Sequence, residues 1–407
     1  MRSSLVATRG RPQVRRVPAV QWEGPLTTAQ ASGTYAYTNR NFKRLDANPN
    51  AGCITNTGAG TARHIFIGCR FWTNTHVLKS LAAAGFEFYY CVALGENPNV
   101  DGQPMGCFIE GPVNWLIVEN CKVSNLGGIR LVGSDLLYNR VRFNSWNNIT
   151  GAISNGTGLP GWAGFRAEPQ DLQPTYVKWM TMWQGNGVTC DANGDGKGSG
   201  GTLRSEIAYN RVVNLPGLSR CGDHISLFGS GGVSGAPLWI HHNLLWGSFT
   251  IDYANVSCVG RGILMETPGA KGRYIDVEDN TICAIPGAIN LYRGHDDVNI
   301  SRNRALYSRK ANGVSLPTYN VPFNADASNT GTNQKWRLNT YRWYSQSFDA
   351  LTTPFVQNAG NSGNDAGTGW SEDAANCTEA DEYAEIPLWD ALMASQGLVI
   401  GNSIPAW

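Results

Sequence analysis

The hexapeptide DANGDG (191–196) places oxygen side chains at Asp191, Asn193 and Asp195, the alternation that lets one hard cation be gripped when Gly196 permits a sharp turn. Position twelve of that loop is Thr202, where an EF-hand carries a bidentate Glu, so the expectation is a calcium-binding turn of another kind. The competing reading is an Asp/Asn/Gly turn bonded to its own backbone. CGDHIS (221–226) and RGHDD (293–297) supply Asp223, His224, Asp296 and Asp297 as candidate catalytic acids and bases, against the plain reading of turn residues. Lys178, Arg204, Arg220 and Arg261 offer charge for neutralising a uronate, but no spacing selects them. His241 and His242 are adjacent, so in an extended strand they face opposite sides and do not share a metal. Trp146, Trp162, Trp179 and Trp183 cluster in one Gly- and Pro-containing stretch and are the candidate glycan-binding rings, since exposed aromatic faces stack on sugars. The alternative is that these rings pack a loop onto the body of the protein or across a subunit boundary. No G-x-S-x-G elbow, Gly-rich phosphate loop ending in Lys, or CxxC pair occurs.

The elements that must hold these residues declare themselves as a repeat. LIVENCKV (116–123), LLYNRVRF (136–143), IAYNRVV (207–213), WIHHNLLW (239–246), DVEDNTIC (276–283) and NISRNRAL (299–306) each run apolar and extended into an Asn. Aligned on Asn120, Asn139, Asn210, Asn243, Asn280 and Asn303, the residue three places earlier is always aliphatic, and five places earlier stand Trp115, Leu238, Ile275 or Val298 in four of the six. That is a period of two, the mark of a strand with one face buried. FIGCRF (66–71) and YYCVAL (89–94) extend the pattern with Gly68 and Tyr90 in the Asn place, and in that register Cys69, Cys91 and Cys121 share one position. Successive Asn are 19, 71, 33, 37 and 23 residues apart, as expected of short turns of a coil interrupted by long loops. A parallel coil stacks equivalent residues about 4.8 Å apart, close enough for Asn side chains to bond along the stack.

Over roughly residues 50 to 310 these segments resemble the right-handed parallel β-helix superfamily, which includes pectate lyases, polygalacturonases and many bacteriophage tailspikes. The resemblance implies an all-β solenoid, with a sandwich or propeller as the structural alternative. It does not extend to a known active site. Gly222-Asp223 resembles the opening of the polygalacturonase Gly-Asp-Asp motif, but His224 replaces its second Asp; Gly294-His295 resembles Gly-His-Gly, but Asp296 replaces its last Gly. No Asn-Thr-Asp element is found, and the two partial matches stand about 70 residues apart.

The chain has 407 residues, 32 Lys+Arg against 31 Asp+Glu, and only 15% charged residues, which excludes bulk electrostatic attraction to nucleic acid as its main activity. The balance conceals a polarity. Residues 1–22 hold five Arg and no acid before Trp22, while Trp343–Trp407 contain nine acids and no Lys or Arg. The expected organisation is a basic N-terminal arm (1–50), a parallel β-helix (51–315) with a loop insertion at about 145–205, and an irregular acidic cap (316–407). Within the cap a short helix is expected over 385–397, burying Ile386, Leu388, Leu392 and Met393 and ending at Gly397. The cap either covers the open end of the coil or docks with the arm onto neighbouring subunits. No export signal and no membrane span are expected. Ten Cys in 407 residues fall below disulfide-scaffold density. With the resemblance, this points to a virion structural protein: a spike, fibre or decoration subunit assembled in the host cytoplasm. Its expected partners are itself as a homotrimer, other virion proteins through the arm, and host-surface polysaccharide. The alternatives are an extracellular polysaccharide lyase or glycoside hydrolase, and a cell-surface adhesin.

Overall fold

The computed structural model describes residues 20–46, 48, 51–95, 106–132, 138–149, 180–183, 204–219, 221, 223–249, 260–266, 272–292, 295–316, 322–325, 331–344, 355–356, 371–372 and 375–402. Three long parallel sheets wind around one core, and each turn of the chain gives one strand to each sheet in fixed order. Sheet I has 11 strands, from Leu26–Thr28 to Phe355–Val356; sheet II has 10, from Thr34–Thr38 to Gln334–Arg337; sheet III has 11, from Asn41–Arg44 to Ser371–Glu372. The chain is a right-handed parallel β-helix, as the repeat implies.

Alternation dictates the interior. In sheet I, Ile54, Leu78, Ile109, Ile129, Met180, Ile225, Ile263, Ile289 and Phe323 stand in one register column; Met180 joins it through its backbone pairing, and the others are buried in the core. In sheet II the buried column passes from Phe66 and Phe88 through Val118, Val141 and Ile207 to Ile240, Val277, Ile300 and Trp336.

The Asn repeat sits at the two-residue corner between sheets II and III, in a corrected register. The stacked residues are Asn144, Asn210, Asn243, Asn280, Asn303 and Asn339, all buried. Asn120 instead occupies the exposed-side corner position before Cys121, and Asn139 lies within the strand Tyr138–Arg142. The Nδ2 of each ladder Asn from Asn144 to Asn303 donates to the Oδ1 of the next at 2.9–3.0 Å. Each Nδ2 also donates to a backbone carbonyl of the preceding turn, as Asn243 does to Ile207 O at 2.8 Å. Cys121, Cys91 and Cys69 continue the same column, three places after Val118, Phe88 and Phe66. The first corner residue is left-handed, with φ of 53° to 58° at Asn120, Phe143, Tyr209, His242, Asp279, Arg302 and Leu338.

The expected boundaries shift. Strands Leu26–Thr28, Thr34–Thr38 and Asn41–Arg44 already form the first turn of the coil, inside the segment expected to be an arm. Phe323–Ala325, Gln334–Arg337 and Thr340–Trp343 carry the coil past 315. Within the expected insertion, Ser145–Asn147 belongs to sheet III, and Met180–Trp183 pairs on both sides in sheet I. Alternating apolar residues extend the coil wherever they can join the core, whatever the charge around them.

Helix α1 (Glu379–Ser395) starts earlier than expected because Thr378 caps it and Asp381 closes a capping box. It lies along sheet III instead of over an open end. Asp381 pairs with Arg342 at 2.9 Å, Glu385 with Arg304 at 2.7 Å and Asp390 with Arg211 at 3.0 Å, so the acidic tail binds its own coil. Its 17 residues span about 25 Å, some five strand spacings. Glu382, Glu385, Trp389 and Met393 form the buried face, whereas Leu388 and Leu392 are 58% and 49% exposed. The expected Leu stripe is replaced because ion pairs and Trp246 fix the rotation of the helix; Trp246 Nε1 donates to Glu382 O at 2.9 Å. Beyond the helix, Asn402 Nδ2 donates to Cys91 O and Asn120 O, both at 3.0 Å. No helix among the described residues is long and apolar enough to cross a membrane.

Two outcomes follow. Asn243→Ala leaves the Asn210 backbone N–H and Nδ2 without their shared acceptor, and at about 1–3 kcal/mol for each buried orphan donor the loss is about 2–6 kcal/mol, read from urea unfolding. Glu382 accepts from Ser308 N at 2.6 Å and Ser308 Oγ at 2.7 Å, and burial raises its carboxyl to about 8. The folded state therefore holds a proton that the unfolded chain loses near its ordinary 4.5, and stability falls as pH climbs from there through 8. Glu382→Gln removes this loss: its melting temperature relative to the native chain rises by several degrees on moving from about pH 5 to about pH 9.

Candidate functional site

The outward positions of sheet II form two parallel columns. One runs Ile117, Arg140, Glu206, Trp239, Asp276 and Asn299; the other runs Glu119, Arg142, Ala208, His241, Glu278 and Ser301. They face away from the core because the ladder Asn and the buried aliphatic residues fix the phase of each strand.

Charges interlock along the face. Glu119 meets Arg140 and Arg142, each at 2.6 Å, and Arg142 reaches Glu206 at 3.2 Å. His241 Nε2 lies 3.0 Å from the other Glu206 oxygen. Burial alone would raise Glu206, but the His241 hydrogen bond and the Arg142 charge outweigh it and hold the carboxyl below its ordinary value. Asp276 goes the other way: burial raises it although Arg204 is paired with it. Trp239 stacks on His241 with ring centroids 3.6 Å apart, and the Arg204 guanidinium lies 4.3 Å from the Trp239 ring centre. Trp239 Nε1 donates to Glu278 Oε2 at 3.2 Å, and Asn299 Nδ2 donates to Glu278 Oε1 at 2.9 Å.

The left-handed corner residues border this face. Phe143, Tyr209 and His242 stack in succession, with centroids 5.2 and 5.0 Å apart. The result is a strip of π surface beside fixed donors and acceptors, suited to a polyhydroxyl chain that offers apolar ring faces and polar edges. Glu206 and Asp276 stand two strands apart in one column, about 9.6 Å between backbones, with protonation biased in opposite directions.

The residues singled out from the sequence are placed differently. Asp223 is buried and its Oδ1 accepts from Arg261 N at 2.9 Å; His224 is fully buried, holds Gly247 O at 2.8 Å through Nε2, and is pushed down to about 4 by burial. Asp296 Oδ1 accepts from Thr332 N at 2.8 Å, while Asp297 is a left-handed residue bonded to Arg273 at 2.9 Å and Asn333 at 2.7 Å. The four residues do not form one site: the first two lead into sheet I and the last two open a strand of sheet II; Asp223, His224 and Asp296 bond backbone groups of the coil, and Asp297 bonds the side chains of Arg273 and Asn333. Trp146 is a core residue with no exposed surface, edge-on to Phe108 at 5.4 Å, so it offers no sugar platform. Trp183 has its backbone in sheet I between Val132 and Phe228. Trp162, Trp179, Asp191, Asn193 and Asp195 lie outside the described residues. Glu206 and Trp239 were missed and His241 was read only as half of an opposite-facing pair, although the mostly polar residues two and four places before each ladder Asn mark the outward face.

His76, Cys107 and Glu110 bring ligand-type atoms within 4.8 Å of one another. Cys107 N donates to His76 Nδ1 at 3.2 Å, so the ring hydrogen faces Glu110, 3.2 Å from Nε2. Glu110 also binds Lys79 at 3.2 Å and Arg130 at 2.8 Å, and burial pushes the Cys107 thiol up. With its carboxylate matched by Lys79 and Arg130, the trio forms a buried ion cluster that ties adjacent turns of sheet I together. The eight described Cys are buried and form no disulfide with one another.

No protein-family model matches the chain, and no curated protein matches it. Among solved structures it is similar to the Dettilon tailspike protein, with 14% identity and a TM-score of 0.39, over 85% of this chain and 61% of that one. The chain thus spans less than two thirds of that protein's length.

Because the folded state holds the Glu206 carboxyl low, its stabilisation is complete above the unfolded value of 4.5 and disappears as pH falls through the folded value. Glu206→Gln is expected to flatten this acid limb in thermal melts while leaving alkaline behaviour unchanged.

Proposed function

We propose that this chain is a β-helical spike, fibre or decoration subunit of a bacteriophage particle and that the outer face of sheet II binds host-surface polysaccharide. The observation that carries the glycan reading is the continuous band of Trp239, the Phe143–Tyr209–His242 stack and the flanking fixed charges. The aromatic stack covers three turns, about 10 Å, and the outward columns from Glu119 to Ser301 cover six strands, about 24 Å, room for several sugar units. The particle role extends the resemblance of the coil to tailspikes. In it the chain acts as a homotrimer, with its basic N-terminal residues attached to other virion proteins.

A second reading, glycoside hydrolysis on the same face, is favoured by the opposed protonation of Asp276 and Glu206. One residue is biased toward the acid and the other toward the base, at a backbone spacing compatible with an intervening water.

One experiment addresses both. The full chain is incubated with host capsular polysaccharide and with lipopolysaccharide, and binding is measured alongside release of reducing ends. Trp239→Ala is expected to weaken binding about tenfold through loss of its stacking surface. Unchanged binding in that variant, or none by the native chain, rejects the glycan face. Release of reducing ends that disappears in Asp276→Asn supports hydrolysis, and no release rejects it.

A further inference from the structure

His242 is the left-handed corner residue after the strand Leu238–His241, with φ of 53°. In an extended strand neighbouring side chains point apart, but this corner swings His242 back toward His241. The two Nδ1 atoms end 2.9 Å apart, with the rings at 89°. The opposite-facing arrangement expected from adjacency is therefore overturned by a single backbone angle.

Glu206 sets the chemistry of the pair. Its carboxylate lies 3.0 Å from His241 Nε2, so the neutral ring carries its hydrogen on Nε2 and leaves Nδ1 without one, on the side of His242. A carboxylate behind one imidazole nitrogen while the other is bare is the arrangement that orients a metal-ligating histidine and raises its basicity. His241 itself is buried, so its ring is held in place, whereas His242 is partly open to solvent. Glu278 stands opposite His241 on the next strand and Asp279 follows it; both are paired with Arg302, at 3.5 and 2.8 Å, so the charge beside the histidine pair is balanced.

We propose that His241 Nδ1 and His242 Nδ1 are two cis ligands of a divalent transition-metal site of the nickel or copper type, with Glu206 positioning His241 from behind. An ion about 2.0–2.1 Å from each of two nitrogens 2.9 Å apart subtends about 90°. That is the cis angle of a tetragonal or octahedral ion and is narrower than zinc's tetrahedral angle, and imidazole nitrogen suits both nickel and copper. Water fills the remaining positions on the open side of His242. Without the ion, His242 Nδ1–H donates to His241 Nδ1. On binding, that hydrogen is lost from Nδ1 and one is taken up at Nε2 of the same ring through solvent, so no net proton is released. The inference is independent of the glycan reading and needs no polysaccharide.

The test uses full-length, tag-free, metal-stripped protein, titrated calorimetrically with nickel chloride and separately with copper chloride. One ion per chain is expected, and the copper form should show electron paramagnetic resonance couplings from two imidazole nitrogens. His242→Asn keeps a residue suited to the left-handed corner, which Asn120 occupies in an equivalent position, and should abolish the stoichiometric site with an unchanged circular dichroism spectrum. Glu206→Gln should weaken binding by about 10–100-fold. The proposal is overturned if neither ion binds saturably, if the stoichiometric site survives in His242→Asn, or if the copper spectrum lacks imidazole coupling.

Discussion

The corner between sheets II and III governs the molecule. The chain must turn sharply from one sheet to the next in two residues, and the first adopts a left-handed conformation that costs non-glycine residues roughly 1–2 kcal/mol. The second residue offsets that cost. A buried amide with two donors and one doubly accepting oxygen can bond both up and down the stack, and the ladder from Asn210 to Asn303 uses each of these groups. Bonded amides in a dry interior fix register as well as contribute energy, because a slip of one residue would bury a charged side chain in place of an aliphatic one.

Toward the N-terminus the same position is taken by Cys121, Cys91 and Cys69. Their sulfurs contact carbonyls of their own and the preceding turn, as Cys91 does with Tyr89 O at 3.4 Å and Phe66 O at 3.5 Å. A thiol bonds more weakly than an amide, and here aromatic packing takes over: Tyr37, Phe66 and Phe88 stack at 4.7 and 5.1 Å, with Phe42 on Phe71 at 5.5 Å. The coil therefore changes its cohesion along its length, from ring stacking to amide bonding. Burial pushes the Cys91 thiol well up, so this cysteine is a poor nucleophile and acts as a small apolar filler.

The parallel coil could be read from the sequence because one face of every strand is buried, and burial imposes a period of two that survives interruption by long loops. The exact ladder could not be. Asn120 and Asn139 satisfy the same local pattern as Asn210, and only the pairing of Val118 with Val141 shows which residue of each turn is stacked. The functional face was hidden for a related reason. Asp223 and His224 looked reactive as a string but serve backbone groups, whereas Glu206 comes from a different turn than Trp239 and His241 and becomes their neighbour only in the folded coil. Likewise, the rotation of helix α1 is decided by Arg211, Arg304 and Arg342, far away in sequence, and not by its own leucines.

The return of the chain along sheet III also alters how the molecule carries load. A simple solenoid pulled by its last strand peels one turn at a time, each turn holding only its neighbour. Here a pull applied beyond Asn402 enters the coil at Cys91 and Asn120, and through Gly401 at Phe143, before it reaches the last turns. The force is then shared in shear along the ion pairs of helix α1, so the terminal turns are shielded from tension and the chain yields as a block instead of unzipping from its end.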